Sequence, residues 1–136
     1  MAYSANQTTL SYRLGASGVF TEIPMLMEVP EVGGAAEKID VTTLADRSKR
    51  YIPGIRDYGD LVFKFLYDNT ENGNFRVLKG MDDTGQIATF QIAYPDGTAH
   101  QFDGIPSVSM DAGAINGALT FSATMLLQSD IEVINP

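Results

Sequence analysis

Apolar residues recur at every second position along most of this chain. Leu61, Phe63, Phe65 and Tyr67 line one face of residues 60–67, and period-two alternation marks a half-buried strand. Residues 86–94 repeat the pattern with Ala88, Phe90, Ile92 and Tyr94 opposite Thr89 and Gln91. Pro95-Asp96-Gly97 follows, a turn in which proline presets the first corner and glycine takes a positive dihedral. Residues 98–105 then return, so 86–105 predicts a β-hairpin. Residues 107–110 and 114–127 are further strand, the latter with Leu119, Phe121, Ala123 and Met125 inward and Thr120, Ser122 and Thr124 outward. Residues 129–134 give a last extended piece.

Earlier in the chain, Leu10, Tyr12 and Leu14 alternate as a short strand. Met25, Met27 and Val29 share one parity and are expected in the core, although Pro24 beside them donates no ladder hydrogen bond and implies an edge, bulge or loop. Ile39 and Val41 alternate with Lys38, Asp40 and Thr42, which predicts a half-buried strand over 38–43. Helical spacing occurs once, where Phe75 and Leu78 fall within residues 72–80. Asn72 is the expected cap there and Gly80 the expected terminator. Many short strands with one short helix predict a mainly β fold: an antiparallel β-sandwich or part-barrel with a flanking helix, in a single domain over residues 1–136.

The connection between the strands ending at Leu44 and starting at Asp60 is too long for a turn. Connections in compact domains take about 4 to 6 residues. Tyr51, Ile52, Ile55 and Tyr58 lie within it, and apolar groups are favourable only where they become buried. Residues 45–58 are therefore expected to form a projecting arm that buries itself in something else. Charge supports this. The window 44–59 carries Arg47, Lys49, Arg50 and Arg56 against Asp46 and Asp57, leaving 15 acidic and 5 basic residues in the remainder. A basic arm on an acidic body complements further copies of that body, and such complementarity steers and registers association.

The 136 residues suffice for a core without staples, and the absence of cysteine excludes disulfides, thiolate metal sites and thiol nucleophiles. The first residues lack both a basic start and an apolar run, and no run approaches the ~20 residues of a membrane span. The expectation is a soluble cytoplasmic product without a membrane partner. A net charge of -8 disfavours binding to phosphate backbones.

Candidate chemistry is thin. His100 is the single histidine, so a two-histidine metal site is excluded. Its place in a hairpin strand favours a structural or solvent-facing role. Asp83-Thr84-Gly85 matches a short aspartic-protease signature, but its flanks Met81-Asp82 and Gln86 do not supply the apolar surroundings that proton sharing needs, and a turn after the helix is the better reading. Arg47 to Tyr51 is too small a basic patch on too acidic a chain to read nucleic acid. The sequence therefore predicts no catalytic residues, no metal and no cofactor.

A set of segments in consistent order carries a resemblance: residues 39–44, Tyr51-Ile52-Pro53-Gly54-Ile55-Arg56-Asp57, the strand 61–67 with Asp68-Asn69, Tyr94-Pro95-Asp96-Gly97, and Ala114-Ile115-Asn116-Gly117-Ala118-Leu119-Thr120-Phe121. In these the chain resembles the major tail tube proteins of long-tailed bacteriophages with non-contractile tails, without the extra C-terminal immunoglobulin-like domain some of them carry. The resemblance implies six copies closing into a ring, rings stacking into a tube, and DNA passing through it without specific binding. It implies tail-tip, tape-measure and tail-terminator proteins as further partners, residence in the virion tail, and assembly in the host cytoplasm. It places the arm at the ring-to-ring contact, with Arg47, Lys49, Arg50, Tyr51, Ile52, Pro53, Ile55, Arg56, Asp57 and Tyr58 as contact residues. The arm is then expected to be mobile before assembly and to order on stacking. An acidic lumen would repel phosphate, and Asp40, Thr42, Lys64, Thr120, Ser122 and Thr124 are the lumen-facing candidates, Lys64 being of opposite sign. The alternative is a monomeric β-sandwich module that binds carbohydrate, with Tyr51 and Tyr58 as stacking platforms on the arm.

Overall fold

A computed structural model describes residues 6–15, 18–33, 36–56, 58–113 and 117–136. Its strands are β1 (Thr9–Arg13), β2 (Thr21–Ile23), β3 (Leu26–Glu28), β4 (Ala36–Asp40), β5 (Tyr51–Arg56), β6 (Leu61–Leu66), β7 (Ala88–Ala93), β8 (Ala99–Met110), β9 (Thr120–Leu127) and β10 (Glu132–Ile134), with one helix, α1 (Asn74–Thr84). The main sheet is antiparallel, in the order β2-β1-β7-β8-β9-β6-β3, with β10 also on β8. It is a β-sandwich or part-barrel rather than a closed barrel, as the alternation predicts.

The fold turns on β8. Its first half pairs with β7 from Ala99↔Ala93 to Gly104↔Ala88, and its second half pairs with β9 from Gly104↔Leu127 to Met110↔Phe121. The segments expected as separate strands over 98–105 and 107–110 are thus one strand running through Pro106. Backbone groups alternate sides along a strand. Pro106 shares its parity with Val108, whose N–H leaves the sheet to donate to Asp82 Oδ2 on α1 at 3.1 Å. The missing donor of Pro106 therefore falls on the edge that β7 has already left, where no ladder bond is lost.

Alternation delivers the core. Leu61, Phe63 and Phe65 of β6, Phe121, Ala123 and Met125 of β9, and Ala88, Phe90 and Ile92 of β7 are all buried, joined by Leu10, Phe102, and Leu78 and Met81 of α1. Phe65 and Phe121 stack at 5.2 Å across their strand pair, and Phe75 meets Phe121 edge-on at 5.3 Å. The hairpin over 86–105 and the aromatic face of 60–67 form as expected, with Tyr67 half-buried against Phe75.

Several expectations are corrected. The helix starts later and runs longer than 72–80: Gly73 is its N-cap, and a Cβ there would lie 2.6 Å from the Asp68 carbonyl. Asn72 instead takes a left-handed conformation, and Gly80 lies inside the helix. The terminator is Gly85, left-handed at φ 66°, whose N–H reaches the Asp82 carbonyl. Asp83 and Thr84 belong to the last helical turn. Met25 and Met27 are exposed rather than core, because Met25 sits at a positive φ after Pro24 and the register then turns Leu26 inward. Leu119 lies just before β9 and is exposed, as is Leu14 beyond β1. Residues 114–116 lie outside the described residues.

Candidate functional site

The arm is a β-hairpin. β4 and β5 form a two-stranded sheet of their own, with Lys38↔Pro53, Ile39↔Ile52 and Asp40↔Tyr51 in register and Ala36 opposite Arg56 after a shift. This corrects two expectations. The half-buried strand expected over 38–43 is instead the exposed strand Ala36–Asp40 of the projection, with 41–43 outside it, and residues 51–56 are strand rather than loop. The projecting element therefore spans 36–56. Alternation alone does not say which strands share a sheet, so an exposed hairpin and a core strand read alike.

An isolated two-stranded hairpin is marginal in water. This one carries Ile39 and Ile52 side by side, both nearly half exposed, with Val41 next on the same strand face. The opposite face pairs Tyr51 with Lys38, whose ammonium lies 5.6 Å from the ring centroid. Pro53 occupies a site in this short edge pair, where a missing donor costs little.

The tip, residues 41–50, is stapled by its own polar groups. Val41 N–H donates to the Arg50 carbonyl at 3.0 Å, and Arg50 N–H donates to Thr42 Oγ1 at 2.8 Å. Asp46 accepts from Thr43 N–H at 2.8 Å and from its hydroxyl at 3.2 Å, while Asp46 N–H returns to the Thr43 carbonyl at 3.0 Å. Arg50 pairs with Asp46 at 3.7 Å. Asp40 accepts from Thr42 N–H at 2.9 Å, and these bonds to Thr42 hold its carboxyl below the usual carboxylate range. Leu44, Arg47 and Lys49 stand exposed, and neither cation has an ion-pair partner among the described residues. Of the remaining predicted arm residues, Tyr58 is half-buried, Ile55 and Arg56 are placed by the backbone of β5, and Asp57 lies outside the described residues.

The six lumen candidates divide. Lys64, Ser122 and Thr124 share the outer face of the main sheet, with Ser109 opposite Ser122 and Ser107 opposite Thr124. Thr120 has the same parity but is buried, its hydroxyl donating to Asp111 at 2.8 Å. Ser122 donates to the other Asp111 oxygen at 2.8 Å. Those two hydroxyls, with the charge of Lys64 adding to them, hold the Asp111 carboxyl below its ordinary value. Asp111 is the organising group of this face and was not singled out from the sequence; the serines and threonines it collects were. Asp40 and Thr42 are on the hairpin, so the six do not form one surface.

His100 lies in β8 with Nδ1 3.1 Å from the Tyr94 hydroxyl and the rings edge-on at 5.2 Å, and burial lowers its pKa. Asp83 binds Lys79 at 3.2 Å on the surface of α1. Among the described residues no group of three His, Cys, Asp or Glu fits a metal ion, and no helix is long and apolar enough to cross a membrane.

A second polar feature was not legible in the sequence. Asn74, 1% exposed, donates through Nδ2 to the carbonyls of Pro24 and Leu66, each at 2.9 Å, and so ties the start of α1 to the β2–β3 corner and the end of β6. Its Oδ1 is buried without a partner among the described residues.

The family model described as phage tail tube protein, TTP, matches residues 3–136. No curated relative matches. Solved structures with the same fold include a chain of the anti-feeding prophage baseplate, symmetrised six-fold, at TM-score 0.77 and 11% identity, covering 98% of this chain and 96% of that one. A chain of the tail of an empty gene transfer agent particle, refined helically with C6 symmetry, superposes at 0.77 with 19% identity, covering 98% and 100%. A chain of the native gene transfer agent virion gives 0.72 and 18%, with the same coverage.

Proposed function

The chain belongs to the phage tail tube protein family, and from that premise we propose that six copies close into a ring, that rings stack into the tube of a long non-contractile tail, and that the β4–β5 hairpin is the arm by which one ring grips the next. Its role is that of a structural tail tube subunit in the tail of a phage-like particle.

The observation that carries the arm's role is the exposed apolar pair Ile39 and Ile52 on a hairpin that has no interior of its own. A two-sided exposed ribbon gains stability only by packing on another surface. The tip is basic and the remainder of the chain acidic, so a second copy is the complementary surface. The contact is head-to-tail, and such contacts either close into rings or extend into filaments. The six-fold symmetry of the anti-feeding prophage baseplate and of the gene transfer agent tail supports a ring of six.

DNA passes through the tube during ejection without specific binding. The outer face carrying Lys64, Ser122 and Thr124 suits a lumen wall because it is rich in hydroxyls, with Ser109 and Ser107 opposite Ser122 and Thr124. Tail-tip, tape-measure and terminator proteins cap and measure the tube, which assembles in the host cytoplasm. Such a role asks for no catalytic set or cofactor.

The direct test replaces residues 41–50 with Asn-Gly, which closes the hairpin without its tip. Under negative-stain microscopy the unaltered protein forms tubes and the shortened one stops at single rings or monomers. Tubes of equal length from both proteins would remove the arm from the ring-to-ring contact. Monodisperse wild type at every concentration, with and without a tail-tip fraction, would favour the monomeric module.

A further inference from the structure

We propose that the cavity beside the start of α1 is a socket for a basic side chain from the arm tip of a second copy, an inference that rests on the tube reading above. The cavity, about 120 Å³, is walled by Tyr12, Ile23, Pro24 and Val77, with Glu22 at its edge beside the uncharged Thr21, Asn72 and Asn74. Its size suits one side-chain headgroup, and its apolar walls suit the aliphatic stem of lysine or arginine.

Glu22 is the charged residue of the lining and so sets the sign of the occupant. Glu22 is exposed, accepts only, and has no ion-pair partner among the described residues. An anion drawn to the N-terminus of α1 would face the Glu22 carboxylate. A cationic donor pairs with that carboxylate as it enters the cavity.

The arm tip supplies that donor. Arg50 is held by Asp46, but Arg47 and Lys49 are exposed and unpaired among the described residues, on a turn fixed by Thr43 and Asp46. The hydrogen bonds and ion pair of residues 41–50 stay within the hairpin. A tip held by its own hydrogen bonds loses less freedom on docking than an unbonded one.

The chain has no cysteine, which makes the contact testable by cross-linking. Glu22→Cys protein is mixed with Arg47→Cys or with Lys49→Cys protein, assembled, and oxidised. A disulfide-linked heterodimer from at least one mixture, absent when Asp83→Cys replaces Glu22→Cys, is the expected result. In parallel, Glu22→Lys should lower the pelletable fraction about tenfold, and combining it with Arg47→Glu or Lys49→Glu should recover most of the loss. Wild-type tubes with no heterodimer, and with Glu22→Lys pelleting like wild type, would overturn the socket and leave the tube reading intact. Wild type that never assembles would remove both.

Discussion

The Asp46 carboxylate accepts both the N–H and the hydroxyl of Thr43, at 2.8 and 3.2 Å, and Asp46 N–H donates back to the Thr43 carbonyl at 3.0 Å. If this reciprocal pair holds the outermost turn before assembly, the mobility expected of the arm lies outside that turn. Asp46→Ala should therefore speed hydrogen exchange at Thr43 and Asp46. Because the bonds are exposed, the loss in global stability should stay within about 1 kcal/mol. Equal exchange in both proteins would mean that the tip orders only on assembly.

The arm's apolar pair should separate assembly from folding. Ile39→Asp or Ile52→Asp places a charge on a surface exposed in the monomer, where substitutions typically change stability by roughly 0.5 kcal/mol or less. Chemical denaturation should thus register little change, whereas sedimentation should lose most of the tube. A large drop in monomer stability would show that the hairpin already packs on its own body.

Asn74→Ala should act oppositely, on folding first. It removes two hydrogen bonds and leaves the carbonyls of Pro24 and Leu66 without that donor. A cost of about 2–4 kcal/mol is expected from urea unfolding. A cost below about 1 kcal/mol would show that water replaces the amide freely.

Asp111 should make stability depend on pH at the acid end. Its folded pKa is lowered by the Ser122 and Thr120 hydroxyls. A carboxyl depressed in the folded state stabilises fully above its unfolded value of about 3.8 and loses that contribution as pH falls through the folded one. The melting-temperature advantage of wild type over Asp111→Ala should be constant from pH 7 to 5 and shrink below 4. An advantage independent of pH would assign the role of Asp111 to packing alone.

The core was legible because alternation reports burial directly: Phe63, Phe65, Phe90 and Phe121 stood out by parity and are all fully buried. Parity fails where a strand leaves the main sheet. Ile39 and Val41 alternate like core residues, yet their partner is β5, and partner choice depends on contacts that no local pattern encodes. Met25 and Met27 misled for a related reason, since a positive φ at Met25 resets the register that parity assumes. The arm was visible as a basic, apolar excess in an overlong connection, whereas its hairpin geometry was not. Asn74 offered no signal at all: an asparagine at a helix start suggests capping, and only the fold brings Pro24 and Leu66 to it.

The central claim is most directly tested by a helical reconstruction of wild-type tubes at side-chain resolution. The account predicts that residues 36–56 of each subunit lie against a subunit of the adjacent ring, with Ile39 and Ile52 buried there. Hairpins that contact only their own ring, or that remain in solvent, would contradict it.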